Sequence, residues 1–93
     1  MIDSFRHRGL KRFYAEDDAS KIPPDMVKRI RDLLTALDAV EGNLQALSRP
    51  SFRLHRLKGE LKDFWAVTVR ANWRIIFRFE NDRVLDVDLV DYH

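Results

Sequence analysis

The chain contains no cysteine. Disulfides, thiolate zinc sites and a Cys nucleophile are therefore excluded. Glycine and proline are scarce, with three of each in 93 residues. There is no Gly-rich phosphate loop, no Pro-rich linker, no internal repeat and no Ser nucleophile motif. No apolar run approaches the roughly 20 residues of a membrane span. Met1–Leu10 is charged from Asp3 onward and lacks the apolar centre of a signal peptide. These absences lead us to expect a cytoplasmic protein with no membrane partner. The length leaves room for one core, so a single domain over residues 1–93 is expected.

What is present is charge, unevenly spread. The formal net charge is only +2. Residues 49–74, however, carry seven Lys+Arg against two Asp+Glu. Residues 32–48 and 75–93 are each net −3. A basic block flanked by acidic segments suits a polyanion footprint, or equally a solvated sheet face.

Helical spacing comes first along the chain. Ile2–His7 reads as a short edge strand. Leu10, Phe13 and Tyr14 fall at i, i+3, i+4 and predict one or two helical turns. Pro23-Pro24 suits a helix start, followed by Asp25 in the first turn. Met26, Val27, Ile30, Leu33, Leu34, Leu37 and Val40 then form one apolar stripe. Asp25 and Arg29 are placed as an i, i+4 ion pair on the other side. Gly42-Asn43 supplies a stop.

After Pro50 the period becomes two. Ser51–Arg56 alternates weakly. Phe64–Arg70 is rich in aromatic and β-branched residues. In the next strand Trp73, Ile75, Phe77 and Phe79 share one apolar face. Ala71-Asn72 and Asn81-Asp82 fit tight hairpin turns. Val84–Val90 completes the set, with Leu85, Val87 and Leu89 expected on one face. The expected fold class is α+β, with two N-terminal helices packed on an antiparallel sheet. Arg70 or Arg74, and Arg78, are expected on the opposite face of that sheet.

Few residues are equipped for acid–base chemistry, and most lie late in the chain. His55 and Lys58 lie three apart, and the chain ends Asp91-Tyr92-His93. Cleaving RNA requires a base for the ribose 2′-OH, an acid for the leaving 5′-oxygen and cations for the phosphate. His55 and His93 supply titrating groups; Lys58, Arg70 and Arg74 supply cations; Asp91 can orient a histidine or act as base. A two-His-one-carboxylate metal set is conceivable, but nothing in the spacing demands it. Basic residues on an open sheet face also commonly do no more than bind an acidic partner.

Several strings together resemble the HigB-type toxins of bacterial type II toxin–antitoxin systems, within the RelE superfamily. They are MIDSFRHRGL at residues 1–10, Leu54-His55-Arg56-Leu57-Lys58-Gly59, Trp65-Ala66-Val67-Thr68-Val69, Asn72-Trp73-Arg74-Ile75, Phe77-Arg78-Phe79 and the terminal Asp91-Tyr92-His93. The resemblance spans nearly the whole chain. It implies a compact microbial-RNase-like fold and a ribosome-dependent mRNA endoribonuclease that acts in the A site. It also implies cleavage without metal or other cofactor, leaving a 2′,3′-cyclic end. The family's catalytic positions fall on His55, Lys58, Arg70, Asp91, Tyr92 and His93, with Tyr92 stacking on or orienting the nucleotide. Arg53, Arg56, Arg74 and Arg78 are the expected RNA-binding residues. Which group is base and which acid stays open. The implied partners are a helix-turn-helix antitoxin of the HigA type, the 70S ribosome with its message, and operator DNA through the antitoxin only.

The sequence departs from the family pattern at Asp63 and at Asn81-Asp82-Arg83, which bears on loop shape and codon preference. Two further readings compete. One is a ParE-like toxin that binds DNA gyrase without cutting nucleic acid, in which His55, Lys58 and Asp91-Tyr92-His93 have no role. The other is a ribosome- or RNA-binding module that docks through its basic face and does not cleave.

Overall fold

The computed structural model describes residues 1–92. His93, expected in the site, lies outside the described residues. Helix α1 spans Arg8–Glu16 and α2 spans Val27–Asp38. Four strands follow: β1 (His55–Arg56), β2 (Phe64–Arg70), β3 (Trp73–Glu80) and β4 (Arg83–Asp91). They form one antiparallel sheet in sequential order, with both helices against one face.

Local chemistry accounts for the helix ends. The His7 Nδ1 caps α1 by accepting the Leu10 N–H at 3.0 Å. Asp17 closes the helix in the left-handed region, with its N–H returning to the Phe13 carbonyl. Pro24–Met26 forms a single 3₁₀ turn that leads into α2. The apolar stripe of α2 is buried as its spacing predicts: Ile30, Leu33 and Leu37 have no exposed surface. They pack on Val67, Val69, Ile75, Phe77, Val84, Val87 and Leu89 from the sheet.

Three features differ from the sequence expectation. First, only His55 and Arg56 of Ser51–Arg56 pair as strand; Pro50–Phe52 is a 3₁₀ turn that buries Phe52. Proline at its first position offers no N–H to a sheet ladder. Second, Leu85 does not share a face with Val87 and Leu89; Val84 does, and Leu85 is only half-buried. The register between β3 and β4 shifts at Ile76/Arg78, where Asp86 adopts φ 53°. That extra residue reverses the alternation upstream of it. Third, Asp25 and Arg29 do not pair. Asp25 binds Arg70, and Arg29 donates to the Thr68 carbonyl at 3.0 Å and the Ser51 carbonyl at 2.6 Å. Arg29 sits on the half-buried side of α2, where carbonyls left by the irregular ends of neighbouring elements need donors.

The N-terminal segment runs beside β4 as isolated parallel bridges, Ile2 to Val84 and Phe5 to Val87. It also holds the bulge: the Ser4 hydroxyl accepts the Asp86 N–H at 2.8 Å. The β3–β4 turn has positive φ at both Asn81 and Asp82. That is the geometry of a two-residue hairpin turn matched to strand twist.

Candidate active site

Alternation gives the second face of the sheet to Phe64, Ala66, Thr68, Arg74, Ile76, Arg78, Asp88 and Val90. No helix covers it. Part of this face is closed by the β1–β2 connection, where Leu57 packs with Phe64, Ala66 and Ile76 in a second small apolar cluster. Gly59 makes the turn of that connection possible, with φ +69°. Lys58 precedes it with an exposed side chain and no ion pair among the described residues. The other part of the face is the corner formed by the β2–β3 turn and the end of β4.

Register places the site residues. His55 stands opposite Ala66, so it shares the uncovered face. Its Nδ1 lies 2.9 Å from the Arg53 carbonyl. A carbonyl only accepts, so Nδ1 carries the hydrogen in this contact, and Nε2 is the ring nitrogen left for a substrate. Thr68, Arg74 and Val90 form the next row across the sheet. Strand spacing sets the Cα atoms of His55 and Arg74 about 12 Å apart. Their side chains can close that span from either side of a phosphate.

Arg74 is anchored by one nitrogen. Its Nη1 donates to the carbonyls of Ala71 at 2.5 Å and Trp73 at 3.1 Å. Its Nε is buried and has no partner among the described residues. Across the strand pair, Thr68 Oγ1 is in the same condition. Two neighbouring buried polar atoms without partners are costly unless something binds them. Tyr92 reaches the same corner: its N–H donates to the Asn72 carbonyl at 2.8 Å, and the residue is 38% exposed. Asp91 ends β4 opposite Trp73.

Other expected residues go elsewhere. Arg70 turns toward the helix layer and pairs with Asp25, because the β2–β3 register shifts between Thr68 and Arg70. Arg56 stands opposite Trp65 on the helix side, with its guanidinium 5.5 Å from that ring, and donates to the Lys62 carbonyl. Arg53 is exposed at φ 50° and contributes its carbonyl to His55. Arg78 is on the uncovered face but is held by both Glu80 and Asp86.

The spacing of residues in sequence gave no sign of Thr68 or Arg29. Thr68 reads as an ordinary β-former, and the signal available was its place opposite an arginine. Arg29 bonds to Ser51 in the middle of the Pro50–Phe52 turn and to Thr68 at the end of the regular part of β2, so it holds the segment before His55 against Thr68.

The helix layer has its own concavity, about 230 Å³, between α1 and α2, lined in part by Phe13, Tyr14, Arg31 and Asp38. The Tyr14 hydroxyl donates to Asp38 at 2.5 Å. That bond, with some burial, raises the phenol above its ordinary value. None of the expected catalytic residues lines it. Among the described residues no three His, Asp or Glu side chains converge as metal ligands, and no helix is long and apolar enough to cross a membrane.

Known proteins resemble this chain in sequence and in fold. The chain is 42% identical over 93 residues to the endoribonuclease HigB of Proteus vulgaris, covering all of both chains. It is 26% identical over 90 residues to toxin HigB-1 of Vibrio cholerae, covering 96% of this chain and 95% of that one. In fold it resembles the toxin of the YoeB–YefM complex from Staphylococcus aureus, with a TM-score of 0.61 at 16% identity over 100% of this chain and 98% of that one. Residues 3–93 match the model of the HigB-like toxin family, described as the RelE-like toxin of the type II toxin–antitoxin system HigB. The chain therefore belongs to the HigB-like family of RelE-like toxins.

Proposed function

We propose that this endoribonuclease toxin of a type II toxin–antitoxin system cuts messenger RNA in the A site of the translating ribosome. The observation that carries the reading is the corner of the uncovered face. There the unpartnered Arg74 Nε and Thr68 Oγ1 lie between His55 and the Asp91-Tyr92 end of β4. Arg74, fixed by its Nη1, offers Nη2 to a phosphate oxygen. Lys58 adds charge from the β1–β2 connection.

The reaction is attack of the ribose 2′-oxygen on the adjacent phosphorus. A base removes the 2′-hydroxyl proton as the new P–O bond forms. The bond to the 5′-oxygen breaks, and an acid protonates that oxygen. The products are a 2′,3′-cyclic phosphate and a free 5′-hydroxyl. His55, with Nε2 free, is suited to one proton transfer, and Asp91 or His93 to the other. Tyr92 stacks on or orients the nucleotide. Every role is filled by a side chain, with no metal or other cofactor. Arg70, tied to Asp25, joins the site only when that ion pair opens.

A helix-turn-helix antitoxin of the HigA type completes the reading, with operator DNA reached through it and the toxin acting in the cytoplasm. Support comes from the family's description as a toxin–antitoxin component and from a fold neighbour solved as a toxin–antitoxin complex. The test is cleavage of a defined message on purified translating ribosomes, with the new 3′ ends mapped. Wild-type protein is expected to leave 2′,3′-cyclic ends at a fixed codon position, and Arg74→Ala and a form lacking His93 to leave the message intact. An uncut message with wild-type protein overturns the reading in favour of docking alone.

A further inference from the structure

The corner around Arg74 accounts for one phosphate. An RNA strand crossing the uncovered face needs cations further along. Sequence order suggests Arg78 for that role, four residues on in the same strand, or about 13 Å away. Arg78 is already matched, however, by the carboxylates of Glu80 and Asp86. A cation held by two carboxylates presents no net positive charge to a polyanion.

A different arginine reaches the same end of the face. The Arg6 N–H donates to the Val87 carbonyl at 2.8 Å, which fastens the N-terminal segment alongside β4 at the Asp86 bulge. From there its guanidinium carbon lies 5.5 Å from the ring centroid of Phe64. Phe64 belongs to the apolar cluster on the uncovered face, together with Leu57, Ala66 and Ile76. Arg6 is exposed and makes no ion pair among the described residues. A guanidinium stacked on a ring is held at low entropic cost and keeps its N–H edge outward, the form that grips phosphate.

We propose that Arg6, laid over Phe64, is a second phosphate-binding residue for the RNA strand, engaging it away from the scissile group, while Arg78 serves the sheet. The inference rests on the proposed cleavage of RNA at the Arg74 corner. RNA is favoured over a protein partner because a free cation beside an aromatic ring, on the face that carries His55 and Arg74, matches what single-stranded RNA recognises.

The test uses the full-length toxin and a labelled single-stranded RNA oligonucleotide methylated at each 2′-oxygen, so that it binds without being cut. Affinity is measured between about 50 and 200 mM salt. For Arg6→Ala the slope of log affinity against log salt is expected to fall by about 0.7, one single-strand phosphate contact. Affinity is expected to drop severalfold at the lowest salt. Arg6→Lys is expected to restore the slope. Lys28→Gln, which removes one exposed charge from the helix layer, is expected to leave it unchanged. In ribosomal cleavage the loss for Arg6→Ala falls on KM. Arg78→Ala replacing Arg6→Ala as the variant that lowers the slope overturns the assignment. So does an unchanged slope with weakened binding of the purified antitoxin, which makes the patch a protein contact. If Arg74→Ala also leaves affinity and cleavage untouched, it is the proposed RNA reading that fails and not Arg6 alone.

Discussion

The two faces of the sheet come from the same alternating strands and are put to opposite uses. The face under the helices is sealed: Val67, Ile75, Phe77, Val84 and Val87 have no exposed surface. The uncovered face buries only a small cluster under the β1–β2 connection and leaves Thr68 and Arg74 with unmet hydrogen-bonding capacity. On the proposed reading, stability and chemistry fall on different sides of one layer about one residue thick. Substitutions can be aimed at either side and should separate.

The largest effect is expected on the sealed face. Phe77→Ala should lower unfolding free energy by about 3–5 kcal/mol through lost burial and a cavity. Denaturant unfolding checks this, and cleavage per folded molecule should be retained. Loss of cleavage in protein that is still folded would show that the two faces are coupled. Next comes Arg74→Ala on the uncovered face. It should cut the cleavage rate by about 10²–10³-fold, in the range for removing one preorganised charged donor. Its melting temperature should stay close to wild type, because removal of the buried, unpartnered Nε offsets the loss of the Nη1 bonds to the Ala71 and Trp73 carbonyls. A clear drop in melting temperature would mean that Arg74 is structural.

A smaller effect is expected at the helix layer, remote from both. Tyr14→Phe should cost under about 1 kcal/mol, since the bond to Asp38 is exposed. Its pH signature is more telling. The phenol is raised above 10.0, chiefly by the hydrogen bond to Asp38. A raised group holds its proton more tightly in the folded state, so its contribution is complete below pH 10 and is lost as pH rises through the folded value. Wild-type and Tyr14→Phe proteins should therefore converge in stability above about pH 10, read from thermal melts. A constant gap across pH would remove Asp38 as the cause. The smallest effect belongs to Asp25→Asn, which frees Arg70. Exposed pairs contribute about 0.2–1 kcal/mol. Unchanged stability with faster cleavage would mark the pair as a restraint on Arg70.

The parts of the fold set by local spacing were legible: the α2 stripe, the hairpin turns and the β2 and β3 strands. What escaped depends on contacts far apart in sequence. The flip at Asp86 requires the Ser4 hydroxyl, and no pattern within β4 announces it. The course of Arg29 depends on which carbonyls the neighbouring elements leave open. The same holds at the site. His55 and Arg74 were found by residue type, and register places them on one face. Arg70, Arg56 and Arg78 carry the right charge but spend it on Asp25, Trp65 and two carboxylates. Composition counts cations; it does not show which are neutralised. Thr68 was invisible because its distinction is an unmade bond.

The clasp between the first residues and the last strand has a consequence for the newly made chain. Ser4 and Asp86 meet across a separation of 82 residues. Ribosomes add roughly 5–20 residues per second. For several seconds the N-terminal segment therefore has no strand to lie against, and the alternation of β4, with Val90 in the row of Arg74, is not yet set. Contacts this distant close late and slowly. The N-terminal segment is thus among the last parts of the fold to find its place.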